Sequence, residues 1–274
     1  MPEVNTTRPF GELSVLITRP EGQSDELVTM IEKSGGKAYH FPVMQIIALD
    51  ENQESERFQS SRQTVLSLDQ YQHVIVISTN AAKFGLELID EYWPQLPIQS
   101  HWYAIGRATA IALEKAHILV ETNSEKNNSN TMNSEALLNH ANLQQLQHEK
   151  VLIIRGVGGR NYLKEQLLLR GAKVDYLECY QRKKADRHDG ELSQFIRDNA
   201  INTLCVNSAE SVDYFSDLVG SIELAAVQSL PLIVPSARVA AYAEKKGYVL
   251  AIIAENASNA AVTAALGKMV NGQN

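Results

Sequence analysis

The sequence predicts an α/β protein with two domains, each built on a parallel sheet. Short β-branched runs alternate with helix-length amphipathic segments along most of the 274 residues, as in folds that place helices on both faces of a sheet. The run Val151–Ile154 is continuously apolar, as expected of a strand buried on both faces. The pattern of residues 15–42 recurs from residue 151 onward, which indicates a duplicated unit.

Three pairs of segments carry this duplication, and each pair preserves the order of strand, turn and helix. The pairs are Val15–Pro42 with Val151–Arg182, Val74–Asn80 with Leu204–Ala209, and Tyr103–His117 with Ile233–Gly247. Because the spacing is kept in all three, we expect both domains to repeat one α/β design.

Each predicted strand is a short apolar or alternating run bounded by turn residues. In chain order these segments are Val15–Thr18, Ala38–Leu49, Val74–Ile77, Trp102–Ile105, Ile118–Val120, Val151–Ile154, Ala172–Tyr180, Thr203–Val206, Leu232–Val234 and Val249–Ala254. Pro42 interrupts the second of them, and a proline suits an edge or a connector better than a central strand.

The predicted helices follow capping residues and end at glycine or at polar turns. Their approximate ranges are 23–34, 51–69, from 81 onward, 109–116, 134–140, 162–171, 190–200, 211–219, 238–246 and 256–269. The remaining segments predict a loose tail at Met1–Leu13, a mobile asparagine-rich loop at Glu121–Asn133 and a charged turn at Lys183–Asp189.

Two domain arrangements fit this order of elements. A simple tandem would divide the chain near residue 148. In a swapped arrangement, which we favour, each β-α-β unit joins the other set of strands, and two extended connectors run side by side. The boundaries are then 14–42 with 184–270 for the first domain, 49–175 for the second, and 39–47 and 176–184 for the connectors.

Composition restricts the classes of function. The net charge of −7 argues against a general nucleic-acid binder, and the chain has neither a membrane-length apolar run nor a signal peptide, so we expect a cytoplasmic protein. Cys179 and Cys205 lack the spacing of metal ligands and lie in strand-like runs, which predicts buried reduced thiols. The seven histidines are not at ligand spacings either, so no metal is predicted.

Candidate binding residues lie at the carboxyl ends of the predicted strands, where open parallel sheets bind ligands. They are hydroxyl, amide, glycine and arginine residues, and most precede a helix whose free N–H groups favour anions. Any one of them could simply cap a helix, but the set together predicts an anion-binding cleft. The candidates are Thr18, Arg19, Ser78, Thr79, Asn80, Gly106, Arg107, Thr109, Arg155, Gly156, Asn207, Ser208, Ser236 and Arg238.

The glycine turn at 156–159 is similar to a nucleotide-binding turn, but Asn161 breaks the G-x-G-x-x-G spacing and the chain lacks a Walker lysine motif. A nucleotide cofactor is therefore not predicted. Tyr180, at the end of a predicted strand, is either a half-buried strand tyrosine or a functional phenol.

The order of several segments resembles the uroporphyrinogen-III synthase family over roughly residues 14–267. The resembling segments are VLITRP at 15–20, ISTNAA at 77–82, AIGRATAIAL at 104–113, IIRGVGGRNYL at 153–163, ECYQR at 178–182, NSAES at 207–211 and VPSARVAAYAEKKG at 234–247. The resemblance implies two flavodoxin-like α/β domains with swapped β-α-β units and a two-stranded connector. It also implies a lyase that cyclises hydroxymethylbilane, a linear tetrapyrrole, with loss of water and inversion of ring D through a spiro intermediate.

The resemblance further implies that the enzyme uses no cofactor and acts as a cytoplasmic monomer on this small molecule, without nucleic acid or membrane. Tyr180 matches the family's tyrosine that assists departure of the hydroxyl, and Ser78 and Thr79 match a hydroxyl pair. Asn207 stands where many relatives carry Thr or Ser, and Val239 stands where some relatives have Thr. Because the protein is acidic while the substrate is a polyanion, local donors must bind it, including Arg19, Arg107, Arg155 or Arg238.

Two alternatives stay open on the residues alone. A two-domain binding protein or sensor for a small anionic ligand would show the same cleft without an evident acid or base. A flavodoxin-like FMN protein is the other alternative, and a colourless purified protein would exclude it.

Overall fold

A computed structural model of the chain describes residues 9–52, 55–121 and 134–272. Internal contacts divide the chain into two compact units, the first made of the residues up to Gln45 with those from Lys183 onward, and the second of Ile46–Arg182. None of the helices in the described ranges has the length and apolar character that crossing a membrane requires.

Ten strands and eleven helices occur in the described residues. The strands are β1 Ser14–Ile17, β2 Lys37–His40, β3 Met44–Ala48, β4 His73–Val76, β5 His101–Ala104, β6 Lys150–Gly156, β7 Lys173–Lys184, β8 Thr203–Cys205, β9 Leu232–Val234 and β10 Ala251–Ile253. The helices are α1 Asp25–Lys33, α2 Ser55–Leu66, α3 Thr79–Asp90, α4 Arg107–Lys115, α5 Ser134–Leu138, α6 Tyr162–Leu169, α7 Glu191–Asp198, α8 Ala209–Val219, α9 Leu224–Gln228, α10 Ala237–Lys245 and α11 Asn259–Val270.

The first unit contains a sheet in the order β10-β9-β8-β1-β2, in which every neighbouring pair is parallel. Counted along the unit, this is the 2-1-3-4-5 order of flavodoxin-like folds. The sheet combines the two amino-terminal strands with three strands from the last third of the chain. That combination is the swapped arrangement.

The second unit contains a sheet in the order β3-β7-β6-β4-β5. The pairs among β4, β5, β6 and β7 are parallel. The Leu49 N–H donates to the Cys179 carbonyl (3.3 Å) and the Ala185 N–H to the Val43 carbonyl (2.9 Å), so β3 runs antiparallel to β7 at the edge. The predicted fold class is therefore confirmed. The role of residues 39–47 and 176–184 as a connector between domains stays a prediction.

Burial on both faces explains the continuous apolar runs of the central strands. Along β1, Leu16 packs into one core cluster while Val15 and Ile17 pack into another. In β6, Leu152 belongs to one cluster and Ile153 to the opposite one. Each such side chain removed from water contributes about 1.5–3 kcal/mol to folding, which is why these strands lie at the sheet centres.

The amino-terminal tail is less loose than predicted. Its first eight residues lie outside the described ranges, but Phe10 is only 3% exposed and packs beside Ile17 and Leu27. Its N–H donates to the Ser34 carbonyl at 3.1 Å. A single aromatic in a polar segment produces no periodicity, so the sequence did not predict this anchor. The predicted mobile loop after Glu121 lies outside the described residues.

Several element boundaries differ from the predictions. β7 continues past the predicted strand end at Tyr180 to Lys184, as the extended connector 176–184 allowed, so only its last two residues replace the start of the predicted charged turn. β3 pairs with this strand. The segment Ala38–Leu49 forms two strands in different sheets, separated at Pro42. α9 was not predicted, and the segment Ile118–Val120 contributes an isolated bridge, from Val120 to Trp102.

Candidate functional site

A cavity of about 720 Å³ lies at the carboxyl edge of the second sheet. Ile77, Ile105 and Gly156 line it, and they mark the ends of β4, β5 and β6. Cavities of this size hold small organic ligands, and the carboxyl edge is the usual place for them in an open parallel sheet.

A β-bulge brings Tyr180 to this cavity. Glu178 on β7 pairs with Arg155 on β6, but the next β6 residue, Gly156, pairs with Tyr180, so Cys179 is an extra residue on β7. A bulge of this kind redirects the side chains that follow it. Tyr180 consequently lines the cavity although its side chain is only 2% exposed.

Gly156 provides the space for the tyrosine ring. A Cβ at this position would lie 2.5 Å from both Cε2 and Cζ of Tyr180, closer than any real side chain approaches. The ring also packs against Phe84, with 5.6 Å between ring centroids. Gly156, predicted as a binding residue, therefore also sets the position of Tyr180.

The Tyr180 hydroxyl lies 3.3 Å from the Ser78 Oγ, within hydrogen-bond distance. Ser78 is the cap of α3, and its Oγ accepts a hydrogen bond from the Ala81 N–H at 3.0 Å. The phenol is thus linked to the positive end of a helix, an environment that favours negative charge. The helix begins at Thr79, not at Ala81 as predicted, so Thr79 and Asn80 belong to its first turn.

Arg155 shapes the wall of the cavity. It is 4% exposed and donates to the carbonyls of Gly156 (3.2 Å), Arg160 (3.3 Å) and Gly158. These bonds fix the glycine turn, in which Gly158 and Gly159 have φ values of 75° and 94° that favour glycine. The predicted candidate Arg155 therefore lines the cavity with a guanidinium already bound to the protein backbone.

Tyr176 forms another part of the wall. The Arg155 guanidinium lies 4.5 Å from the centroid of its ring, and its hydroxyl donates to the Asn161 Oδ1 at 3.2 Å. Burial raises the pKa of Tyr176, and the nearby Arg155 offsets part of that shift. The phenol is therefore neutral at neutral pH.

Sequence reasoning missed several cavity residues, above all Arg160 and Arg182. Both side chains are exposed, and neither makes a hydrogen bond or ion pair within the described part of the chain. They were present in the resembling segments IIRGVGGRNYL and ECYQR, but only their side-chain directions distinguish them from ordinary surface arginines.

The other candidates of the second unit surround the helix starts without lining this cavity. Gly106, with φ 90°, precedes α4, and Arg107 is exposed at the first position of that helix. Thr109 is 3% exposed and faces the core. The structure thus brings Arg155, Gly156 and Tyr180 together at the cavity, with Ser78 one hydrogen bond away.

In the first unit, the candidates at the end of β1 are bound to other parts of the protein. The Thr18 Oγ1 donates to the Cys205 carbonyl at 2.9 Å. Arg19 is 7% exposed and donates to the Ala257 carbonyl at 2.9 Å and to the Asn259 Oδ1. Burial lowers the pKa of the Arg19 guanidinium, and nearby Glu26 offsets part of this effect.

The helix caps of the first unit repeat those of the second. The Ser208 Oγ accepts from the Ser211 N–H at 3.1 Å, as the Ser78 Oγ does from Ala81. Ser208, not Asn207, is therefore the counterpart of Ser78. Ser236 occupies the cap position of α10 without a side-chain cap bond, and Arg238 is exposed in the first turn of that helix.

Comparisons with known proteins agree with this architecture. A family model described as uroporphyrinogen-III synthase HemD matches residues 25–264, most of the chain. The chain belongs to the uroporphyrinogen-III synthase family. Members of the uroporphyrinogen-III synthase family are cyclising lyases of haem and tetrapyrrole biosynthesis, so the chain is an enzyme.

Individual relatives match over nearly the whole chain. Uroporphyrinogen-III synthase of Escherichia coli strain K12 is 29% identical over 261 residues, covering 93% of this chain and 100% of the relative. Its Salmonella typhimurium counterpart is 30% identical over 259 residues, with the same coverage.

Solved structures support the fold alone. A mutant uroporphyrinogen III synthase of the extremely thermophilic bacterium Thermus thermophilus has a TM-score of 0.53 at 15% identity and covers 95% of this chain and 99% of its own. The Helicobacter pylori enzyme has a TM-score of 0.55 at 16% identity and covers 94% and 99%.

Proposed function

We propose that the chain converts hydroxymethylbilane into uroporphyrinogen III. The proposal rests chiefly on the cavity at the carboxyl edge of the second sheet, where a buried phenol and arginine side chains meet. Tyr180 is the proposed catalytic residue, and its hydroxyl lies 3.3 Å from the Ser78 Oγ.

The first step is loss of the terminal hydroxyl. The lone pair of the pyrrole nitrogen expels it and leaves an electrophilic azafulvene, while Tyr180 donates the proton that converts the leaving group into water. A weak acid is sufficient because the pyrrole supplies the electrons. In this role the Ser78 hydroxyl donates to the phenol oxygen, which leaves the phenol proton for the leaving group, and the start of α3 stabilises the charge that develops on that oxygen.

The later steps need positioning more than acid–base chemistry. The substituted carbon of ring D attacks the azafulvene and forms a spiro intermediate, which fragments and recloses with the ring inverted. The free carbon of ring D then loses its proton, so the sequence as a whole releases one water. Since pyrrole carbons are already nucleophilic, the protein must mainly bring the substituted carbon, not the free one, to the electrophile.

We propose that the predicted donors bind the acetate and propionate groups of the substrate. Within the ranges that the structure describes, the exposed side chains of Arg107 and Arg238 have no hydrogen-bond or ion-pair partner. Arg19 and Arg155, in contrast, already donate to carbonyls of the chain. Free N–H groups at the starts of α3 and α8 are further donors for carboxylates. The monomeric state, the cytoplasmic location and the lack of a nucleic-acid partner stay predictions.

The test is incubation with hydroxymethylbilane followed by separation of the product isomers. The uncatalysed reaction gives the type I isomer, so it supplies an internal control. We expect the type III isomer to dominate. If only the type I isomer formed, the enzyme proposal would fail, and binding of a small anion without chemistry would be the better account.

A further inference from the structure

The charge of the cavity is opposite to that of the whole chain. Three arginines, Arg155, Arg160 and Arg182, and one glutamate, Glu135, line it, which amounts to two net positive charges. The chain as a whole carries −7. A local reversal of this kind attracts anions to one site that the rest of the surface repels.

The three arginines are not equivalent. Arg155 is buried and donates to three backbone carbonyls, so each of its three nitrogens already has a partner in the turn. The side chains of Arg160 and Arg182 are exposed, and within the described residues neither has a hydrogen-bond or ion-pair partner. These two guanidiniums are therefore free to bind a carboxylate in the bidentate geometry that arginine favours.

Arg182 also lies next to the proposed catalytic phenol. It follows Tyr180 by two residues on β7, and its guanidinium carbon is 5.9 Å from the centroid of the Tyr180 ring. An anion bound to Arg182 would therefore lie beside that ring. Arg160 is on the glycine turn that forms another part of the cavity wall.

We propose that Arg160 and Arg182 bind carboxylates of the substrate, with Arg182 binding the one nearest the reacting ring. This inference rests on the proposed function and gives a role to two arginines for which the family resemblance implied none. Both contacts are made in the bound substrate as well as in the transition state. Losing them is therefore expected to raise KM more than it lowers kcat.

The experiment compares Arg160→Gln, Arg182→Gln, Arg182→Lys and the double glutamine variant with the unmodified protein. Steady-state kinetics with hydroxymethylbilane give KM and kcat, and inhibition by the type III product gives a binding constant. We expect about a tenfold rise in KM for Arg182→Gln, a smaller rise for Arg182→Lys, and the largest rise for the double variant. Added salt should raise KM less in the double variant than in the unmodified protein.

Arg62→Gln is the matched control. Arg62 is exposed, its guanidinium carbon lies 5.8 Å from the centroid of the Tyr92 ring, and it does not line the cavity. Its KM should stay unchanged. Thermal unfolding checks that each variant folds. If Arg182→Gln did not fold, the KM values of Arg160→Gln and Arg182→Lys would test the carboxylate assignment.

The outcomes separate the two proposals. If the unmodified protein produced no type III isomer, the proposed function itself would be wrong. If it did, but the double variant kept the original KM and product inhibition, the carboxylate assignment would be overturned. A fall in kcat with unchanged KM would also overturn it, because the arginines would then act on the chemistry and not on binding.

Discussion

At the carboxyl edge of the first sheet, β2 ends at His40, whereas at the same edge of the second sheet β7 continues to Lys184. The two strands occupy equivalent places, since Ile17 pairs with His40 and Ile153 pairs with Tyr176. Only the longer strand carries the bulge that places Tyr180 opposite Gly156. One strand extension therefore distinguishes the unit with the candidate active site from its repeat.

The equivalent arginines show the same contrast. Arg19 lies two residues after β1, Arg155 lies near the end of β6, and both are almost fully buried. Arg19 donates to the Ala257 carbonyl in the segment before α11, while Arg155 donates to its own glycine turn. In both units this arginine thus stabilises the fold by donating to backbone carbonyls, but in the second unit it also lines the cavity.

Replacing Tyr180 with Phe should have the largest effect on turnover. Removing a positioned acid typically lowers kcat by about 100-fold or more, and the phenyl ring should preserve the packing against Phe84. The measurement is kcat for type III product together with thermal unfolding. An unchanged kcat would show that Tyr180 has only a structural role.

Tyr248→Phe in the first unit is the matched control. Tyr248 is also 2% exposed, and its hydroxyl bonds a serine, Ser216, at 3.0 Å. Loss of that hydrogen bond should cost about 1 kcal/mol of stability and leave kcat unchanged. Equal losses of turnover in both variants would show that the two units do not differ as proposed.

Gly156→Ala should have the next largest effect. The added methyl would press on the Tyr180 ring, so we expect about 1–3 kcal/mol of destabilisation and about a tenfold fall in kcat. In Gly36→Ala of the first unit, the new Cβ would lie 3.0 Å from Phe10 and Ile31, so only stability should fall. Unfolding curves and kcat for both variants check this, and full activity of Gly156→Ala would contradict the positioning argument.

Between about pH 7 and about pH 5, a histidine of the second unit should make folding sensitive to acid. His73 is 4% exposed, and burial lowers its pKa although Glu149, 2.6 Å away, offsets part of the shift. The folded state therefore keeps a neutral imidazole that the unfolded chain protonates near pH 6.5. The contribution of His73 to the free energy of unfolding is therefore complete above pH 6.5. It is lost as the pH falls from there through the lower pKa that His73 has in the folded state. Its counterpart by position in the first unit, Thr203, does not titrate.

Denaturant unfolding at about pH 7 and about pH 5 measures this effect. His73→Gln should lose stability at neutral pH but show a smaller further loss on acidification. His117→Asn, an exposed histidine with φ 59° that asparagine tolerates, is the control and should keep the original pH dependence. An identical pH dependence in all three proteins would exclude His73 as its source.

The smallest expected effect is on the cysteines, where the units are alike. Cys179 and Cys205 are both buried, as predicted, and burial raises the pKa of each thiol to about 12. Because almost no thiolate exists near neutral pH, alkylation of the folded protein should be negligible and should appear only on unfolding. Mass spectrometry after iodoacetamide treatment checks this, and rapid labelling of either thiol in the folded protein would contradict it.

The sequence by itself determined the fold class and most helix positions, because apolar periodicity, glycine stops and serine caps act over a few neighbouring residues. It favoured the swapped order of strands over a tandem without deciding between them, and the sheet order shows the swap. It also brought Arg155, Gly156, Tyr180 and Ser78 into consideration as functional residues. These features are local, and each was read from a short segment of the chain.

Only the tertiary structure decided how those residues are used. The length of β7 depends on its pairing with β3. The direction of the Tyr180 side chain depends on a bulge in the pairing of β7 with β6. Phe10 becomes buried through partners that no local pattern encodes, and Arg160 and Arg182 become candidates because they line one cavity. Register, pairing and burial involve segments distant in sequence, so they arise only when the whole sheet has formed.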